Sequence, residues 1–414
     1  MLNEMMYGGN LKDIFQSALL MNLPEWFVTG ASRYVAHGWT AEMDDYIRHV
    51  IKKKDTKRIN RFSDEEAALV GQSVWNFIIE RYGKSSLSNI LNYTRVTRNE
   101  EKSLLITLGV SYNQLINEWY SFYTQKSETV DQSYIQPDYS IKFSQGHNIT
   151  TEFTTVKLSP DGRYLAYAEN DRGRYVVKVR EIGTKKEIVL LSGGTRVIEQ
   201  RVDYRLPIIS WSDANTLGVV GVKQGQYTFW LYDLNTKTKL PRELDRFSNV
   251  RSFTFSGNGR LVVLSGDFEG QSDLFLLSTR RNRVRRLTND SFDDLDPTFI
   301  PGTNRIVFSS NRITDSVTVG ERKLLGDLTN NYNLFVYDLD TTTNVLARIT
   351  NTLSKDYAPR AINDNVYYYL SDQRGIINLF KYDRSNGIYT QVSNFSSSIR
   401  EYDFSHAQST LAVT

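Results

Sequence analysis

Leu158-Ser-Pro-Asp-Gly-Arg-Tyr-Leu-Ala-Tyr167 reads as a tight polar turn feeding an alternating strand. Weaker copies follow at Ser212-Asp-Ala-Asn-Thr-Leu217, Ser256-Gly-Asn-Gly-Arg-Leu261, Ile300-Pro-Gly-Thr-Asn-Arg-Ile306, Ile362-Asn-Asp-Asn-Val366 and Ser405-His-Ala-Gln-Ser-Thr-Leu411. Counted from Ser159, the steps are 53, 44, 44, 62 and 43 residues. A period near 44 is that of β-propeller blades, each a four-stranded sheet. A blade cannot bury both faces alone, so such repeats have to pack into one ring.

Each repeat has the same grammar. A strand of period two follows the turn, as in Tyr164-Leu-Ala-Tyr167 and Leu261-Val-Val-Leu264. A polar hairpin comes next, with Gly173, Gly225, Gly270 and Gly375 supplying positive φ. A third strand then reads Phe229-Trp-Leu-Tyr-Asp233, Leu274-Phe-Leu-Leu277, Leu334-Phe-Val-Tyr-Asp338 or Leu379-Phe-Lys-Tyr-Asp383. An outer strand such as Arg285-Arg-Leu-Thr288 or Ala347-Arg-Ile-Thr350 closes the unit. The longest step leaves room for an insertion over 312–330 in the fourth repeat. The count gives five full blades and the start of a sixth.

Upstream the period is helical. Ser63-Asp-Glu-Glu66 has the form of a capping box, followed by Ala67, Val70, Val74, Phe77 and Ile78 on one face and a stop at Gly83. A helix after Pro24 places Trp26, Phe27, Ala31 and Tyr34 in phase, and another runs from Ser111 to about 125. The predicted fold class is therefore a multi-domain α plus all-β chain. It has a helical domain over 1–125, a linker over 126–150 and a propeller over 151–414. The opening residues read like the middle of a helix and the last repeat is cut short, so we expect a fragment of a longer protein.

Among the 414 residues, 50 Lys and Arg balance 47 Asp and Glu, for a formal net charge of +3. That balance gives no reason to expect nucleic acid as the main partner. With no cysteine, disulfides, thiolate metal sites and cysteine nucleophiles are excluded. No apolar run is long enough for a membrane helix.

The repeats resemble the TolB-type propeller family with its PD40 (WD40-like) blades. The resemblance rests on Leu158-Ser-Pro-Asp-Gly-Arg163, Arg286-Leu-Thr-Asn-Asp290 with Asp296-Pro297, Ile306-Val-Phe-Ser-Ser-Asn-Arg312 and Asn333-Leu-Phe-Val-Tyr-Asp338. It implies a periplasmic or outer-membrane-associated protein that binds envelope proteins or peptides. Similar blades also precede serine peptidases, but no G-x-S-x-G elbow follows here.

The helical part resembles the C-terminal part of a peptidase MA-like (gluzincin) domain, through Leu23-Pro-Glu-Trp-Phe-Val-Thr-Gly-Ala-Ser-Arg-Tyr34 and Gly109-Val-Ser-Tyr-Asn-Gln-Leu115 leading to Glu118-Trp119. The family's Trp-x-x-Glu-Gly-x-Ala-x-Tyr keeps Trp26, Gly30 and Tyr34, while its zinc-binding Glu is replaced by Thr29. The family's H-E-x-x-H falls on Asn3-Glu-Met-Met-Tyr7, which keeps Glu4 and lacks both histidines. Asn3, Tyr7 and Thr29 offer neutral oxygens, which bind zinc poorly. No metal and no other cofactor is expected.

Candidate binding residues lie in the hairpins and at the expected channel mouth. They are Asp171, Arg172, Asp267, Glu269, Asn311, Arg312, Asp372 and Arg374, with Asp294, Asp296 and Asp356 from two D-x-x-P stretches. The bland reading of the Asp residues is that they cap turns. Arg280, Arg281, Arg283, Arg285 and Arg286 form a basic hairpin, read as solvated, with an anionic glycan or lipid as the alternative contact. His37, His49, His147 and His406 show no ligand spacing. The expectation is non-catalytic binding of a protein or peptide partner in a bacterial cell envelope. The alternatives are a zinc metallopeptidase with a propeller filter and a carbohydrate-binding propeller.

Overall fold

The computed structural model describes residues 23–53, 58–136, 151–196, 204–268, 270–281, 283–317, 331–341, 344–405 and 410–414. The chain divides into two compact units: Met1–Pro137 with Phe395–Ser398, and Asp138–Asn394 with Ile399–Thr414.

Among the described residues the first unit holds six α-helices and one 3-10 turn. They are α1 (Glu25–His37), α2 (Ala41–Lys53), the turn Ile59–Arg61, α3 (Asp64–Tyr82), α4 (Ser85–Thr97), α5 (Glu100–Leu108) and α6 (Tyr112–Ser133). Helix α6 continues beyond the end expected near 125. The core is built on three fully buried tryptophans, Trp26, Trp75 and Trp119. Each indole N–H is satisfied: by Asn60 Oδ1 at 2.8 Å, Phe27 O at 2.9 Å and Ser73 Oγ at 3.1 Å. Helices α1 and α3 cross at two glycines. A Cβ on Gly30 would lie 2.4 Å from the carbonyl carbon of Gly71, and one on Gly71 would lie 2.0 Å from Trp26 O.

The capping box is not made as expected. Ser63 occupies the N-cap position of α3 but its side chain makes no cap hydrogen bond. Instead the Asp64 N–H donates to Glu25 Oε1 on α1 at 2.8 Å, so a tertiary partner takes the capping role. Gly83 ends α3 at φ 89°, as expected.

The second unit contains five four-stranded antiparallel sheets. They are β1 (Thr151–Leu158) to β4 (Glu187–Gly193), β5 (Ile208–Trp211) to β8 (Lys239–Glu243), β9 (Asn249–Phe255) to β12 (Val284–Arg286), β13 (Asp294–Phe299) to β16 (Ala347–Arg348), and β17 (Asp356–Ala361) to β20 (Ile388–Gln391). A two-stranded sheet, β21 (Tyr402–Ser405) with β22 (Thr410–Val413), follows. Every quoted turn motif lies between the first and second strand of its sheet. The hairpin glycines have the predicted positive φ: 98° at Gly173, 82° at Gly225, 87° at Gly270 and 77° at Gly375.

The sheets stand as blades of a propeller. The innermost strands are neighbours in sequence order, β1 by β5, β5 by β9, β9 by β13 and β13 by β17, and β21 lies beside β1. Tyr402 Oη donates to Ala358 O on β17 at 2.8 Å, while the Leu158 N–H of β1 donates to Asp403 Oδ2 at 2.8 Å. Strand β21 thus joins the last full blade to the first. The apolar cores lie between blades. One cluster joins Ala166, Val177 and Leu191 to Ile209, Val219 and Trp230, and another joins Phe229 and Val220 to Phe253, Leu264 and Phe275.

The outer strands are shorter than expected, because Thr288 and Thr350 turn inward. Their hydroxyls accept from the N–H of Leu274 at 2.9 Å and of Leu334 at 3.0 Å. They donate in turn to Asp273 Oδ1 and Asn333 Oδ1, both at 3.2 Å. Ser393 does the same between Leu379 N, at 2.8 Å, and Asn378 Oδ1, at 2.8 Å. The recurring Asp/Asn-Leu-Phe and Arg-Leu/Ile-Thr pieces are two halves of one hydrogen-bonded clasp.

Candidate functional site

Strand direction places the β2–β3, β6–β7, β10–β11 and β18–β19 hairpins at one end of the ring, together with the first residues of β13 and β17. This end carries the propeller residues singled out in the sequence. Their side chains divide into a displayed layer and a buried one.

The displayed layer is set by hairpin geometry. Arg172 sits at φ 52° beside Gly173 and is exposed, and Arg374 is exposed beside Gly375. Asp171 is half-buried and pairs with Arg196 at 2.7 Å. Asp372 Oδ1 accepts from the Lys355 N–H at 2.8 Å, tying the β18–β19 hairpin to the entry of β17. Asp267 is gripped by Arg251, Nε to Oδ1 at 2.7 Å and Nη2 to Oδ2 at 3.0 Å. Ser272 adds a bond at 2.7 Å, and these partners outweigh burial, holding the Asp267 carboxyl below its ordinary range. Asn311 is not displayed: it is buried, and its Oδ1 accepts from the Asp293 N–H at 2.9 Å. Glu269 lies outside the described residues, as do Asn3, Glu4 and Tyr7.

Four residues expected at the surface are instead buried: Asn311, Arg312, Asp294 and Asp356. Arg312 has a side-chain exposure of 0% and Asp294 likewise 0%. Arg312 gives two bonds to Asp294, at 2.6 and 2.8 Å, and one to Asp290 at 3.2 Å. The rest go to Ser316 O at 3.0 Å and Ser310 Oγ at 3.0 Å. All three guanidinium nitrogens are thus engaged, and Phe292, Phe308 and Phe335 surround the cation. Asp356 is buried as well, accepting from Ser371 Oγ at 2.7 Å and Thr352 Oγ1 at 2.9 Å. Asp294 and Asp356 therefore do not ring the channel mouth. Their backbone carbonyls accept from Ser265 Oγ and Ser309 Oγ of the preceding blade, each at 2.6 Å. The two D-x-x-P stretches are equivalent blade-to-blade fastenings, and they go beyond the simple turn cap that the sequence offered.

Two carboxylates share one guanidinium here, which leaves a surplus negative charge out of water. Burial first, and the neighbouring Asp294 second, push the Asp290 carboxyl up to about 6. Burial likewise pushes Asp273 up to about 6, against the opposing pull of its partner Arg286.

Asp296 behaves differently from Asp294. A bulge between Leu295 and Thr298 breaks the pairing of β13 with β14, and Asp296 sits there at φ 50°. Ala358 is its counterpart at φ 50° in the bulge of β17, and the Ala358 N–H donates to Asp296 Oδ2 at 3.2 Å. Burial raises the Asp296 carboxyl, with Glu401 adding to the shift and Lys157 and Lys355 opposing it. Around the same innermost strands, Lys157 pairs with Glu401 at 3.0 Å and Arg360 with Asp403 at 3.6 Å. The pairs that link strands β1, β17 and β21 were missed in the sequence, because their members are far apart along the chain.

In the helical unit Thr29 returns its hydroxyl to Glu25 O at 2.6 Å on its own helix. Trp26 and Gly30, which carried the peptidase resemblance, have packing roles in the α1–α3 crossing. His37 and His49 are exposed. Among the described residues no group of three or more His, Asp or Glu is placed to hold a metal ion. None of the described helices is long and apolar enough to cross a membrane.

No protein-family model matches the chain, and no curated protein matches it. Solved structures do. TolB from Acinetobacter baumannii is similar at 16% identity and a TM-score of 0.45, over 57% of this chain and 53% of that one. A putative TolB from Agrobacterium tumefaciens is similar at 14% identity and a TM-score of 0.45, over 63% of this chain and 88% of that one. The β-propeller domain of the Trilobed protease from Pyrococcus furiosus is similar at 17% identity and a TM-score of 0.41, over 61% and 72%.

Proposed function

We propose that the chain is a non-catalytic binding protein of a bacterial cell envelope, and that the hairpin end of its propeller receives a protein or peptide partner. The observation that carries this reading is the two-layer arrangement at that end. Exposed Arg172 and Arg374 stand on glycine hairpins above carboxylates that already have internal partners. Arginines held by a rigid frame suit recognition, since little side-chain and backbone order is left to impose on binding. A carboxylate fully engaged by arginine or hydroxyl donors is poorly placed as a general acid or base. The helical unit serves as a scaffold or second docking surface, with Thr29 standing where the peptidase family has a zinc-binding carboxylate.

The purified full chain tests the non-catalytic part directly. Elemental analysis is expected to give no stoichiometric zinc, and fluorogenic peptides are expected to stay intact. Stoichiometric zinc together with chelator-sensitive cleavage would overturn the reading in favour of a metallopeptidase.

A further inference from the structure

The outer wall of the propeller between the second and third blades carries a basic groove. Two adjoining cavities, of about 620 Å³ and about 800 Å³, share Arg246, Arg280, Arg281 and Val284 in their linings. One is bounded by the end of β8, the other by Arg260, Arg283 and Arg285. Arg246, Arg260, Arg280, Arg281, Arg283 and Arg285 are all exposed. Among the described residues none of the six belongs to an ion pair, whereas Arg251 and Arg286 nearby are paired with Asp267 and Asp273. Glu243 and Asp245 on one rim are far outnumbered.

We infer that this groove binds an acidic polysaccharide, a chain bearing repeated carboxylate or sulfate groups. A concave site with guanidinium groups on both walls fits a narrow anionic chain better than a flat bilayer surface. Single-stranded nucleic acid needs aromatic platforms for its bases. Among the described residues of the lining the one aromatic is Phe247, which is buried. An extended acidic peptide would gain most by adding a strand to a sheet edge. Here β8 carries Pro241, and β12, which follows Arg283, has only three residues, two of them arginines; both features guard an edge against pairing. A sugar chain needs neither stacking bases nor a backbone ladder.

The test uses the full chain and labelled heparin and polyuronate oligosaccharides, read by fluorescence anisotropy at physiological salt. The variant Arg280→Ser/Arg281→Ser/Arg283→Ser is expected to bind about tenfold more weakly, at roughly twofold or threefold per exposed charge contact. A control, Lys84→Ser/Arg95→Ser/Lys102→Ser, removes the same charge from exposed positions of the helical unit and is expected to bind as the parent does. A triple Arg→Lys variant is expected to keep part of the affinity, which separates charge from loss of folding. No saturable binding by the parent, or equal loss in the control, would overturn the inference. So would tighter binding of oligothymidylate, polyglutamate or phosphatidylglycerol vesicles at matched charge.

Discussion

Arg312 illustrates how far a residue's role depends on its neighbours. In the sequence it opens an insertion and reads as a surface arginine; in the fold it is the buried hub for Asp290 and Asp294. Removing one partner of such a cluster costs more than the cluster contributes, because the remaining charges stay out of water. Arg312→Ala is therefore expected to destabilise the propeller by about 3–5 kcal/mol in denaturant melts. Arg312→Ala combined with Asp294→Asn is expected to recover part of that loss. The same cluster sets a pH response. A carboxyl whose pKa is higher in the folded chain holds its extra proton only there. The contribution of Asp290 and Asp273 is thus complete below the unfolded value near ~3.9 and is lost as pH rises through about 6. Asp267, held low by Arg251, acts in the opposite sense, and its contribution is lost only below that range. The thermal midpoint is therefore expected to hold or rise from pH 7 to pH 5, and Asp290→Asn is expected to flatten the rise. An equal fall in both proteins would contradict it.

At the scale of elements, packing overrides local preference at identifiable places. Gly71 lies mid-helix, where its conformational freedom is a cost, and is kept because α1 passes against it. Gly71→Ala is expected to cost about 2–4 kcal/mol in thermal or denaturant unfolding, more than the gain in helix propensity returns. An unchanged midpoint would contradict a close α1–α3 contact at Gly71. The blades were legible because their turns use short-range chemistry. Asp161 Oδ1 accepts from the Arg163 N–H at 3.1 Å, and Asn258 Oδ1 from the Arg260 N–H at 3.0 Å, contacts that spacing alone implies. The Thr288 and Thr350 clasps were not legible, because each joins two strands through a side chain. Nor was the difference between Asp294 and Asp296. A bulge, which alternation cannot foretell, sends one into the blade and sets the other toward the innermost strands. The capping box failed for a related reason, since Glu25 comes from another helix.

The whole propeller depends on the join made by β21. Asp403 receives the Leu158 N–H on one side and pairs with Arg360 on the other. Asp403→Ala is expected to raise amide exchange first in β1 and β17, with the inner blades still protected; uniform protection would show that the join does not hold the ring. A closed, stiff ring is also what the proposed function requires, because it fixes the hairpin end that receives the partner. The most direct measurement begins with peptides selected from a random displayed library on the immobilised full chain. Their affinities are then compared for the parent and for Arg172→Glu/Arg374→Glu, and each peptide is recovered and weighed. Binding about tenfold weaker in the variant, with peptides intact, is the predicted result. Unchanged affinity, or peptides cut during incubation, would contradict it.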